Sequence, residues 1–122
     1  MARTSNDLAD DPKNVLPLTS AVFFTLFALA DGEKHGYAIM QQVGLLSDDS
    51  FRMGPGTLYT TLQRLLDASL IDEMLQETER DNRKRTYRLT DAGRRLFEAE
   101  LRRLGSLLRM ARQKELIFRN AQ

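Results

Sequence analysis

The sequence predicts a mainly α fold that carries one small β-hairpin and ends in a long helix. Three observations lead there. Helical hydrophobic periodicity recurs in three separate stretches before residue 70. Period-two alternation occurs in one pair of short segments, Ile71 to about Arg80 and Lys84 to Leu89. After Thr90 a seam of apolar residues at alternating four- and three-residue steps runs almost to the end of the chain.

The first helix is expected after Pro17, with Thr19 as its side-chain cap and Asp31-Gly32 as its stop. Val22, Phe23, Phe24, Leu26, Phe27 and Leu29 cover most of its circumference, so protein must cover both its sides. The second helix spans about Gly36 to Leu46, with Tyr37, Met40 and Val43 at three-residue steps, and SDDS closes it. Phe51 to Met53 is expected as a short strand. Gly54-Pro55-Gly56 then turns the chain into a third helix that begins near Thr57 and ends around Ala68 or Ser69. In that helix Leu58, Leu62, Leu65 and Leu66 share one side, and Thr57, Thr60, Thr61 and Arg64 are assigned to the other.

In the hairpin, Asp81-Asn82-Arg83 forms the tip, where Asn tolerates the left-handed backbone of tight turns. Tyr87 and Leu89 fall on one face of the second strand, and Lys84, Thr86 and Arg88 on the other, giving a two-stranded ribbon with a basic edge. Thr90 can cap the last helix, and Asp91 in its first turn complements the helix dipole. Phe97, Leu101, Leu104, Leu108, Ala111 and Phe118 form the seam, apart from Glu115 in the skipped position, with Leu107, Met110 and Ile117 widening it. A helix of about 28 residues, roughly 40 Å long, exceeds what a domain of this size can cover, and an identical subunit is the simplest partner.

The 122 residues suit one domain with an extension: a polar, aperiodic N-terminal arm over 1–14, a domain over 15–90 and a terminal helix over 91–122. Apolar residues make up 42% and charged residues 29%, the balance of a chain that folds. No cysteine is present, which excludes a disulfide framework, a thiolate zinc site and a redox dithiol. His35 is the single histidine and cannot build a metal cluster alone; no cofactor is expected. The longest apolar block, Ala21 to Ala30, is too short for a membrane span and lacks the features of a signal peptide, so a cytoplasmic protein is expected. GxSxG, HExxH, P-loop and GxGxxG patterns are all absent, and Asp48-Asp49 and Asp72-Glu73 show no sign of converging, so no enzyme is expected.

The net charge of +1 hides a segregation. Up to Glu79, five basic residues face twelve acidic ones; from Arg80 onward, thirteen face five. An anionic partner therefore belongs at the C-terminal third. RDNRKRTYR, Arg80 to Arg88, holds five basic residues and one acid, a cluster that repels itself unless phosphates, or an acidic protein surface, relieve it. Three helices followed by a ribbon is the order of a winged helix-turn-helix domain, in which the third helix enters the major groove. There Thr57, Tyr59, Thr60 and Thr61 can approach phosphates or a thymine methyl, and Arg64 a phosphate or a guanine edge. Solvated Thr and Arg on the wet face of an amphipathic helix is the plainer alternative. Tyr37 could reach a phosphate through its hydroxyl, whereas His35 suits a core or capping role.

Three motifs together, HGYAIMQQV (His35 to Val43), GTLYTTLQRLLDASLI (Gly56 to Ile71) and RKRTYRLTDAG (Arg83 to Gly93), resemble the PadR-like transcriptional regulators. The similarity runs from about Leu16 to the C-terminus. It implies a dimeric winged-helix repressor acting on operator DNA, with Tyr37, Thr57, Tyr59, Arg83, Lys84 and Arg85 at or near the duplex. It also implies a single C-terminal dimerisation helix, as in the short branch of the family. Some relatives bind planar aromatic compounds at the dimer interface. Here Phe23, Phe24, Phe27, Phe97 and Met110 could line a pocket for a small hydrophobic or aromatic effector, and would serve equally as core. Two positions depart from the family pattern: Thr60 where proline is frequent, and Ser69 where glycine is frequent before the wing.

Overall fold

The computed structural model describes residues 8, 11, 15–77 and 83–121, without the side chains of 76, 77, 83 and 116–121. Most of the 1–14 arm, the Asp81-Asn82 tip and the side chains of Arg83 and Phe118 thus lie outside the described residues. Leu8, within that arm, is buried against the core.

Helix α1, Ser20–Leu29, is the hub. Thr19 caps it by accepting the Val22 N–H on its hydroxyl at 3.3 Å. Val22, Thr25, Leu26, Ala28 and Leu29 are all buried, because the other helices and the sheet surround it. Thr25 resolves its buried hydroxyl by donating to Ala21 O at 2.7 Å.

Helix α2, Gly36–Leu46, buries Ile39 and Val43 against α1. The stretch expected as a strand at Phe51 to Met53 is instead irregular, bending at Phe51. Asp48 and Asp49 both take left-handed backbone, with φ of 51° and 59°, and the Ser47 hydroxyl accepts the Phe51 N–H at 3.2 Å. These hold the chain in a compact turn where no ladder can form. Helix α3, Pro55–Asp67, starts two residues earlier than the sequence suggests, because proline at its first position loses no helical hydrogen bond. At its end Ser69 adopts φ 59°, and the Leu70 N–H returns to Leu65 O at 2.9 Å. The serine thus occupies the backbone conformation that glycine would take without strain.

The sheet has three strands, not two. Strands β1 (Lys34–His35), β2 (Ile71–Glu77) and β3 (Arg83–Leu89) lie in the order β1-β3-β2, all antiparallel. The basic strand β3 is therefore the centre of the sheet rather than an edge. Thr86, assigned from sequence to the basic side, is buried between His35 and Met74.

Helix α4, Asp91–Ala121, is 31 residues long, about 46 Å. Thr90 caps it by accepting the Gly93 N–H at 3.1 Å and also donates to Ser69 O at 2.7 Å, so one hydroxyl fastens the helix start to the turn after α3. Leu96 and Phe97 are buried, whereas Leu101, Leu104, Leu107, Leu108 and Met110 are 37–54% exposed. Phe97, expected in the dimer seam, packs in its own protomer, with ring centroids 5.7 Å from Phe23 and 5.5 Å from Phe27.

Candidate nucleic-acid interface

Three elements bring polar and basic side chains together. The root of α2 supplies Tyr37, α3 supplies Tyr59, and β3 supplies Lys84 and Arg85; with His35, Gly36, Ala38 and Tyr87 they line an open hollow of about 460 Å³. Tyr37 and Tyr59 are 69% and 57% exposed, an unusual cost for large rings that nothing among the described residues covers. Gly36 lies beneath them, and a Cβ there would make only ordinary contact, 3.5 Å from Tyr59 Oη and 3.4 Å from a Leu58 methyl.

Strand β1 locks the wing to this corner. Lys34 pairs with Tyr87 and His35 with Thr86, and the His35 ring Nδ1 lies 3.3 Å from Arg85 O. His35 occupies the cap position of α2 but makes no capping bond; its role is to hold the wing. No signal in the sequence reveals this, because two residues cannot display a period.

The basic strand is partly compensated from within. Arg85 lies 3.2 Å from Glu73 and Arg88 3.6 Å from Asp72, both acids on β2. The acid pair that looked idle in the sequence thus orients two arginines. Lys84 has no ion pair among the described residues. Burial, with the Glu73 carboxylate adding to it, pushes the Tyr87 phenol above its usual range.

On α3, Thr57 and Thr60 are exposed and Arg64 is half-buried. Thr61 differs from the sequence assignment: it is buried, and its hydroxyl donates to Thr57 O at 2.7 Å. The signal was available, since Thr61 lies three residues after Leu58 and four before Leu65, inside the apolar stripe. Of the seam residues, Leu101, Leu104, Leu108 and Ala111 are exposed in the protomer, Leu104 the least of the three leucines. Among the described residues no group of three potential ligands could hold a metal, and no helix is long and apolar enough to cross a membrane.

Three helices packed around α1, with a wing strapped beside the exposed face of the third, define a winged helix-turn-helix protein. Residues 25–99 match the PadR-like family of transcriptional regulators, and the chain belongs to that family. It is 41% identical over 81 residues to the transcriptional regulator Rv3488 of Mycobacterium tuberculosis, covering 66% of this chain and 71% of that one. It is 40% identical over 87 residues to an uncharacterized 37.1 kDa protein in transposon TN4556 of Streptomyces fradiae, covering 71% of this chain but only 24% of that relative. Among solved structures, a PadR family regulator from Clostridium difficile superposes with a TM-score of 0.67 at 21% identity, covering 78% of this chain and 97% of that one. Bacillus subtilis PadR in complex with operator DNA superposes with a TM-score of 0.63 at 24% identity, covering 70% of this chain and 48% of that one. These two share the fold.

Proposed function

We propose that the protein is a cytoplasmic repressor that binds an inverted-repeat operator as a homodimer. One α3 would enter each of two successive major grooves, about 34 Å apart, and the exposed stripe of α4 would hold the two protomers together. The observation that carries this reading is the convergence of exposed Tyr37 and Tyr59 with Lys84 and Arg85 around one hollow, beside the exposed threonines of α3. Phenol hydroxyls and cations at one concave corner suit a phosphate backbone, which positions the helix for base contact. The fold shared with Bacillus subtilis PadR, solved on operator DNA, supports the same placement. Phe23, Phe27 and Phe97 fill one another's space, which favours the core role for that cluster over an effector pocket.

Mobility-shift titration against the DNA upstream of the protein's own coding region, with a scrambled duplex as control, tests the reading. Sequence-dependent binding that weakens by about 10³ to 10⁵ between 50 and 200 mM salt is expected if a dimer neutralises about 6 to 10 phosphates. Replacing Arg83, Lys84 and Arg85 together by Ala should weaken all duplexes alike, whereas Thr57→Ala or Arg64→Ala should change sequence preference. Binding independent of duplex length and sequence would point instead to an acidic protein partner for the basic strand.

A further inference from the structure

Glu100 is the one charged side chain buried among the described residues, at 2% exposure. A carboxylate seldom sits so deep without partners, and this one has two. Its Oε2 accepts the Leu18 N–H at 2.8 Å, and its Oε1 accepts Arg103 Nε. Leu18 immediately precedes Thr19, the cap of α1, and α1 has no acidic residue in its own first turn. The positive end of α1 is therefore met by a carboxylate borrowed from α4, where the helix dipole favours one.

The position of Glu100 along α4 matters as much as its partners. It is the last buried residue of the helix among the described side chains; from Leu101 to Met110 the large apolar side chains are exposed. Upstream, the first turn is fixed at Gly93, so close to Leu70 that a Cβ would stand 2.0 Å from its carbonyl oxygen. The fastened stretch, from Gly93 through buried Leu96 and Phe97 to Glu100 at its outer end, covers about 10 Å of the axis and defines the direction in which the remaining helix projects. Ala121 lies about 42 Å from Gly93, so a 1 Å displacement at Glu100 moves the far end by about 4 Å, more than the roughly 3.4 Å rise of one base pair.

We propose that Glu100 is a positioning residue that sets the angle between α4 and the reading head, and through it the half-site spacing the dimer accepts; the spacing rests on the dimeric operator reading above, the angle does not. Arg103 acts through Glu100 by holding the carboxylate toward Leu18.

The angle can be read within one protomer. The chain has no cysteine, so spin labels at Asp67→Cys and Lys114→Cys, diluted with unlabelled protein, report the distance from the head to the outer part of α4. Glu100→Ala should shift the mean distance by several ångströms or at least double its width, with Glu100→Gln intermediate because its amide oxygen still accepts from Leu18. On inverted repeats whose spacer varies by single base pairs, the unsubstituted protein should prefer one spacer at least tenfold. Glu100→Ala should cut that preference to within threefold while changing affinity for a single half-site less than twofold. A distance distribution identical to that of the unsubstituted protein, or an unchanged spacer profile with uniformly weaker binding, would overturn the assignment. If Glu100→Ala fails to fold, Glu100→Gln and Arg103→Ala are measured in the same way, and the same two results would overturn it. Should the unsubstituted protein ignore every operator, the DNA reading falls while the distances still decide the role of Glu100.

Discussion

Replacing Gly93 by alanine sets two effects of opposite sign against each other. Within a helix, alanine is better than glycine by about 1 kcal/mol, so propensity alone forecasts a more stable protein. The new methyl, however, would stand 2.0 Å from Leu70 O and 3.0 Å from its carbonyl carbon. Ordinary contact begins at 3.4 Å, so α4 would have to withdraw by about 1.4 Å. Leu70 cannot give way easily: its carbonyl accepts the Thr90 N–H at 3.1 Å, and its own N–H is committed to Leu65 O at 2.9 Å. Overpacking typically costs about 1–3 kcal/mol, and a clash with backbone falls at the upper end, leaving a net loss of about 1–2 kcal/mol. In thermal unfolding at fixed protein concentration, Gly93→Ala should lower Tm by about 4–8 °C. An unchanged or raised Tm would refute the close approach of α4 to Leu70.

Ser69→Gly should stabilise the protein by about 0.5–1 kcal/mol in urea unfolding, since it relieves the left-handed serine while adding some freedom to the unfolded chain. Glutamate at both Leu104 and Leu108, exposed in the protomer, should give a folded monomer by light scattering that no longer binds the operator; a surviving dimer would refute the seam. Because burial raises the Tyr87 phenol, the folded state holds that proton more tightly than the unfolded one. The associated stability is full below the ordinary tyrosine value of about 10 and is lost as pH rises past it. Ultraviolet titration should show one tyrosine ionising late, and Tyr87→Phe should abolish that step.

Most elements were legible because their signals are local and repeated. The α2 boundaries, Gly36–Leu46, coincide with the periodic stretch, and the Thr19 and Thr90 caps act where the sequence places them. Ser69 takes the strained backbone that its departure from the family pattern implies. What stayed hidden depends on partners distant in sequence. The seam pattern placed Phe97 and Leu101 together, yet Phe97 is claimed by Phe23 and Phe27 some seventy residues earlier. Glu100 carries no local sign of its partner, the Leu18 N–H 82 residues earlier. Thr61 was misassigned because its hydroxyl suggested water, while its helical phase placed it inward. Within the site, the convergence of Tyr37 with Tyr59 and Lys84 is a tertiary event, brought about by a two-residue strand with no period to read.

That short strand anchors the base of the hairpin. Lys34 and His35 pair with Tyr87 and Thr86, so the clasp holds as long as residues 84–89 keep their parity. A slip of one residue would turn Tyr87 inside out and drag the root of α2 with it.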